Sequence, residues 1–253
     1  MPLVMPTRTE SAVYFDLEVD VTRTTAFLAA RNAQAGGPPA TLFHVVLWAF
    51  ARALDRRPWL NRFVAGGRLW DRDGVWLSFA AKRALADDAP LVTLKRRFDP
   101  AWTLDDVVAV VAGDVRAGRA GPTAAEREQR LLAALPRWVL RLAYALFRRL
   151  DAWGLAPGRL LALDPLYTSA FLANLGSVGL DAAYHHLYEH GTASLFCVVG
   201  QAREVGGDAA GLARRVVRLR FSFDERVADG LYAQRALELL RRTIEDPAAP
   251  PEA

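Results

Sequence analysis

The chain has one cysteine, almost no lysine and no long apolar run. With Cys197 alone among 253 residues, no internal disulfide can form and nothing argues for an oxidising compartment. No segment reaches the roughly 18 uninterrupted apolar residues that a membrane-spanning helix requires. The opening stretch, MPLVMPTRTESAV, holds no apolar run long enough for a signal peptide, so a cytoplasmic location is expected. Blocks of like charge are missing too: 32 basic residues are interspersed with 28 acidic ones, and the net charge of +4 does not imply nucleic-acid binding. Lys82 and Lys95 are the only lysines, and the arginine bias is one that a GC-rich genome produces unaided.

What is present is a foldable chain, 52% hydrophobic and long enough to bury a full core. Residues 13–21 alternate, with Val13, Phe15, Leu17 and Val19 on one face and Tyr14, Asp16, Glu18 and Asp20 on the other, the period of a half-buried strand. Thr22 is placed to cap a following helix. The stretch NAQAGGPPA over 32–40 predicts a loop, and Leu42, Val45, Val46, Ala49 and Leu54 have helical spacing over 41–57. Strands are expected over 63–69 and 75–81, with Asp71 to Gly74 as the turn between them. Thr103 caps a helix with Asp105 and Asp106 in its first turn. Runs rich in Val, Leu and Phe over 169–174, 193–199 and 216–223 predict buried strands, 229–245 a closing helix, and 247–253 a disordered tail. Strands alternating irregularly with helices, without repeat or linker, predict one α/β domain of the mixed-sheet, two-layer (α+β) kind over 1–246.

Three blocks matter together. The opening strand reads Phe15-Asp16-Leu17-Glu18-Val19-Asp20-Val21-Thr22, and the helix over 41–61 ends in Arg57-Pro58-Trp59-Leu60-Asn61. Phe171-Leu172-Ala173-Asn174-Leu175-Gly176 then precedes Asp224-Glu225-Arg226-Val227-Ala228-Asp229-Gly230. In this order they resemble the catalytic core of the dihydrolipoamide acyltransferases of 2-oxoacid dehydrogenase complexes and, more distantly, chloramphenicol acetyltransferase. The resemblance covers roughly the whole chain. It implies a chloramphenicol acetyltransferase-like mixed sheet with flanking helices, CoA or acyl-CoA as ligand, and a homotrimer with its substrate channel between subunits. A helical insertion over about 122–165 lengthens the chain relative to that core.

In the resembled family a histidine acts as general base, a serine donates a hydrogen bond to the oxyanion, and an aspartate four residues after the histidine orders the site. Here Glu225 stands at the histidine position and Ala173 at the serine position. Asp229 and Arg226 are retained, and the two are expected to form a structural pair. A glutamate is about two pKa units less basic than a histidine, a deficit of roughly 3 kcal/mol. Loss of one oxyanion donor costs about 2.7 to 4 kcal/mol. Ordinary acyl transfer should fall by roughly four orders of magnitude, since such losses are not strictly additive. The leading expectation is a divergent, stand-alone member without the usual chemistry that keeps a binding or scaffold role. The alternative is an active acyltransferase whose base is Glu225 or a histidine of 185–190. No lipoyl domain with its attachment lysine precedes the core and the segment before the opening strand is short, so the resemblance implies a trimer rather than a large cage, and no self-sufficient transacylase.

Tyr184-His185-His186-Leu187-Tyr188-Glu189-His190-Gly191 holds three of the four histidines. In the resembled family this stretch lies near the trimer contacts, which makes His185 and His186 alternative bases. His186, Glu189 and His190 are zinc-ligand types, but their spacing on a loop is not that of a metal site and no metal is expected. His44, beside Val45 and Val46, is expected to be a core or interface residue. Finally, from Pro136 onward, Trp138, Val139, Leu142, Ala143, Leu146, Phe147, Leu150 and Trp153 share one broad helical face, with Arg137, Arg141 and Arg148 opposite and Arg149 beside them. Such a helix over 136–153 suits a lid or subunit contact, a membrane surface, or an acidic protein partner.

Overall fold

The computed structural model describes residues 4–34, 36–83, 89–206 and 213–249. In chain order the elements are β1 Ala12–Asp20, α1 Thr22–Gln34, α2 Leu42–Arg56, β2 Phe63–Ala65, β3 Arg68–Trp70, β4 Val75–Lys82, β5 Leu91–Phe98 and α3 Leu104–Ala120. There follow α4 Ala124–Ala133, α5 Arg137–Ala152, α6 Gly158–Leu163, β6 Ala170–Asn174, β7 Leu195–Val199, β8 Arg203–Val205, β9 Arg214–Asp224 and α7 Gly230–Glu245. The main sheet runs β1-β9-β7-β6-β4-β5, with β8 added to β9. Its centre, β4-β6-β7, is parallel and both flanks are antiparallel, so this is a mixed sheet.

One face of the sheet carries the main core. Leu77, Phe79, Leu172, Cys197, Leu219 and Phe221 meet Val46, Leu47, Phe50 and Leu54 of α2, Val107 and Val111 of α3, and Leu240 and Ile244 of α7. Cys197 is fully buried there, and burial pushes its thiol above the usual range, which disqualifies it as a nucleophile. On the opposite face Phe171, Phe196 and Val198 are covered by Ala182 and Leu187 from the coil before β7. Toward β1 that face turns polar: Arg218 lies among Asp16, Glu18 and Asp181, and Arg203 reaches Glu18 at 2.8 Å. The alternation read in β1 is therefore a division between helix layer and ion-paired surface.

Several expectations shift in detail. Thr22 does not cap α1; its N–H and hydroxyl donate to Asp20 Oδ1, while its hydroxyl accepts the Arg215 N–H. The strand expected over 63–69 is a hairpin, because Gly66 (φ 58°) and Gly67 (φ 72°) form a two-residue turn with both residues left-handed. The Thr103 cap is formed, with Thr103 accepting from Asp106 N–H at 3.2 Å and Asp106 from Thr103 N–H at 2.9 Å. His44 serves a similar box at α2, its Nδ1 accepting the Thr41 N–H at 3.0 Å, and burial with Arg31 nearby lowers its pKa to about 4. The stretch 131–153 divides at Pro136, which opens α5 after α4 has ended. From residue 250 the expected tail lies outside the described residues.

Gly66 also sets how α5 meets the body. A Cβ built there would lie 1.8 Å from the Ala152 carbonyl oxygen at the end of α5, whereas one at Gly67 would meet nothing within 4 Å. Both glycines are left-handed, so either alanine costs about 1 kcal/mol in backbone strain. Only Gly66→Ala must also push α5 away from the hairpin. Its midpoint of thermal unfolding should fall further than that of Gly67→Ala, and α5 should be cut faster by limited proteolysis. Equal effects of the two substitutions would refute this docking.

Candidate functional site

The motif corner at the end of β9 is built on a buried ion pair. Asp224 is fully buried and accepts from two of the three guanidinium nitrogens of Arg226, Nε to Oδ1 at 2.8 Å and Nη2 to Oδ2 at 2.7 Å, with the Arg226 N–H also on Oδ1. The remaining guanidinium nitrogen donates to the Met5 carbonyl at 3.0 Å. The Arg226–Asp229 pair expected from sequence is thus corrected: the partner is Asp224, two residues back. Asp229 instead caps α7, accepting the Tyr232 N–H at 2.8 Å. Pairing with Asp224 closes a local turn, while Asp229 is drawn to the orphan N–H groups at the start of the helix. Glu225 is exposed at this corner and its N–H donates to Ser11 O at 3.0 Å.

A second arginine, Arg8, lies beside this pair. It is 5% exposed and donates to the carbonyls of Tyr188, Glu189 and Val64, while its Nε has no partner among the described residues. Burial acts first to lower its pKa, and neighbouring Arg226 adds to this against Asp224 and Glu189. The Glu189 carboxylate accepts the N–H groups of Arg8 and Thr9 and the Thr9 hydroxyl; burial opposes ionisation, but these bonds hold its pKa below the usual value. Glu189 is therefore committed to the N-terminal segment.

The histidines disperse. His185 stacks on Phe196 with ring centroids 3.9 Å apart, and its Nδ1 faces the His186 carbonyl at 2.7 Å. Burial lowers its pKa, which favours a neutral ring whose Nδ1–H donates to that carbonyl. His186 is exposed against the edge of Tyr188. His190 packs among Tyr144, Phe147 and Tyr167, with Nε2 on Asp164 at 2.6 Å and Nδ1 near the Tyr144 hydroxyl at 3.3 Å. Tyr167, 5% exposed, donates to Asp151 of α5 at 2.7 Å; burial first, then this bond, pushes its pKa well up. Among the described residues no group of three or more His, Cys, Asp or Glu side chains is arranged to hold a metal ion.

Ala173 and Glu225 do not meet within one chain. Ala173 is level with Val198 and Arg220 across β6, β7 and β9, and Glu225 follows five positions after Arg220. At about 3.3 Å per residue and 4.8 Å per strand, the two lie on the order of 20 Å apart. The cleft beside the corner, lined by Arg8, Arg148, Arg226, His190 and the Gly66-Gly67 turn, has a volume of about 140 Å³, below the roughly 300 Å³ at which ligand pockets begin. Two larger clefts lie elsewhere. One of about 580 Å³ is bordered by Asn61, Arg72, Arg97 and Trp102, and Asn61 Oδ1 and Arg72 Nε are buried without partners among the described residues. Another of about 410 Å³, between α2 and α7, is rimmed by Arg56, Arg57, Arg235 and Arg242, with Glu238 paired to Arg241 and Arg242.

Asp224, Arg8 and Asp164 were not singled out from sequence. Asp224 opens the motif block, but its role emerges only when the chain turns back on it; Arg8 lies in a stretch without periodicity.

No family model and no curated protein matches this chain. Solved structures do. It is similar to the dihydrolipoamide acetyltransferase of Azotobacter vinelandii, a structure used to examine a serine, a histidine and an asparagine in that enzyme's catalytic mechanism. The identity is 19% over 98% of this chain and 88% of that one, with a TM-score of 0.66. It is similar to the cubic core of a pyruvate dehydrogenase multienzyme complex at 18% identity, over 93% of this chain and 82% of that one, with a TM-score of 0.65. Chloramphenicol acetyltransferase aligns at 14% identity over 96% and 91%, with a TM-score of 0.54. The chain therefore has the fold of the acyltransferase catalytic cores, the class that its three sequence blocks resemble.

The His190–Asp164 contact has a stated pH dependence. Burial pushes the Asp164 carboxyl up, but hydrogen bonds from His190 and the Leu166 N–H, with the positive charges of His190 and Lys95, leave it below the usual range. A carboxylate lowered on folding contributes stability that is complete above its unfolded pKa of about 3.9 and lost as pH falls through the lower folded value. Acid titration of thermal stability should show this loss in the wild type and less of it in Asp164→Asn. Identical titration curves would dismiss the contact as a source of stability.

Proposed function

We propose that this chain is a self-associating acyltransferase-fold protein that binds CoA or a related phosphate-bearing thioester carrier and has lost the usual acyl-transfer chemistry. One observation carries the reading: the three charged motif residues at the corner, Asp224, Arg226 and Asp229, have folding roles, and the positions where the resembled family carries its base and oxyanion donor hold other residues. Asp224 and Arg226 form the buried pair and Asp229 caps α7, whereas the base position is the exposed Glu225 and the oxyanion position is the methyl group of Ala173. An alanine side chain offers no donor to an oxyanion. The clefts of about 580 and 410 Å³ support a retained binding role, because the second presents arginine to a phosphate-rich ligand. The distance between Ala173 and Glu225 supports a site completed only between copies, in keeping with the assembled cores that share the fold. His185 supports the second reading, an active enzyme: a neutral imidazole held through Nδ1 has its other nitrogen available as a base.

Purified protein should give saturable heat with CoA, and Arg56→Gln with Arg235→Gln should weaken binding by roughly tenfold or more, as expected for loss of charge-assisted hydrogen bonds worth about 1.5 to 3 kcal/mol. Absence of saturable heat would leave the scaffold role alone. Acetyl transfer to dihydrolipoamide should stay near background in the wild type and in Glu225→His, because Ala173 is unchanged. Transfer at ordinary enzyme rates, abolished by Glu225→Gln or His185→Gln, would overturn the non-catalytic reading. Light scattering that finds only a single-chain mass would reject self-association.

A further inference from the structure

Helix α5 presents two different surfaces. Tyr144, Phe147 and Asp151 face the body through His190 and Tyr167, but the helix has no fully buried residue. A second surface turns away: Trp138, Leu142, Leu146 and Trp153 are 70%, 65%, 58% and 67% exposed. At 100° per residue these four fall within an arc of about 80°, and the two tryptophans stand about 22 Å apart along the axis. Leu155, 64% exposed, extends the stripe past the helix end. Arg137, Arg141, Arg148 and Arg149 are all exposed. The wheel sets Arg149 inside the arc and the other three on one flank, about 60° to 100° beyond its Trp138 edge. Asp151, the one acid of α5, is turned inward and bonded to Tyr167.

We propose that α5 lies flat on an anionic lipid surface, with Trp138, Leu142, Leu146 and Trp153 in the acyl-headgroup boundary and the arginines on the phosphates. The charge pattern selects this occupant. A second copy laid against the stripe would bring arginine to arginine with no acid on the face to offset it. A lipid headgroup layer supplies both the missing negative charge and an apolar phase for the tryptophans. No helix among the described residues is long and apolar enough to cross a membrane, so the contact is in the plane. It does not depend on CoA binding or on the fate of acyl transfer.

The test is flotation of the full chain with phosphatidylcholine vesicles, with and without phosphatidylglycerol. The protein should float with the anionic vesicles only, and added salt should release it. Each near-surface arginine is worth about 1 kcal/mol, or about fivefold in partitioning, so Arg137→Gln with Arg141→Gln should lower binding roughly 25-fold. Trp138→Ser with Leu142→Ser and Leu146→Ser should abolish it while leaving circular dichroism and the thermal midpoint intact. The arginine pair tests the same contact should that triple variant fail to fold. No flotation, equal binding to neutral vesicles, or unchanged binding by the arginine pair would overturn the proposal. A change in solution mass in the triple variant would assign the stripe to a second copy and also overturn it.

Discussion

The Asp224–Arg226 pair is the constraint around which this end of the molecule is organised. Both side chains are almost wholly out of water, and both hydrogen bonds are made with good geometry. A buried ion pair of this kind adds little net stability against an apolar replacement, yet removing one partner strands a charge and typically costs 3 to 5 kcal/mol. Its value here is specificity of arrangement. Arg226 also holds the Met5 carbonyl, the Glu225 N–H holds Ser11, and Asp229 starts α7 three residues later. The N-terminal segment, the end of β9 and the start of α7 are thereby set in one geometry.

Arg8 extends the same constraint. Two buried guanidinium groups near one another are tolerable only with fixed negative partners, and Asp224 and Glu189 supply them. Because Glu189 is spent on the Arg8 and Thr9 backbone, the loop before β7 is drawn onto the N-terminal segment, and His190 follows it to Asp164. His190 and Tyr167 are what α5 docks against, through its Tyr144, Phe147 and Asp151. The order of dependence runs from the ion pair to the loop, then to the histidine, then to the helix.

How much of this was legible in the sequence follows from the range of the forces involved. The β1 alternation, the α3 capping box and the buried strands β6, β7 and β9 are local patterns, and period or cap chemistry reveals them directly. The Gly66-Gly67 turn is also local; a strand reading over 63–69 passed over it. The partner of Arg226 is Asp224 and not the expected Asp229, because spacing along a chain does not say which carboxylate the turn brings inward. Arg8 to Glu189 joins residues 181 positions apart and leaves no periodic trace. The division of the α5 stripe has another cause: a broad apolar face fits a lid, a subunit contact or a membrane surface alike, and only the fold shows that the helix spends less than half of it on the body.

The residues of the β9 corner divide by what their side chains hold. Asp224 and Arg226 neutralise one another out of water, and Asp229 caps α7, so each holds part of the corner in place. Glu225 and Ala173 carry no such burden: one side chain is exposed and the other is a methyl group in a half-buried strand. The two lie on the order of 20 Å apart in each chain, so a site that used both positions would have to be completed between copies. A substitution at either position leaves the corner standing, whereas one that removes Asp224 or Arg226 strands a buried charge. The shape of the corner is thus set by the ion pair and the helix cap, and not by the side chains of Glu225 or Ala173.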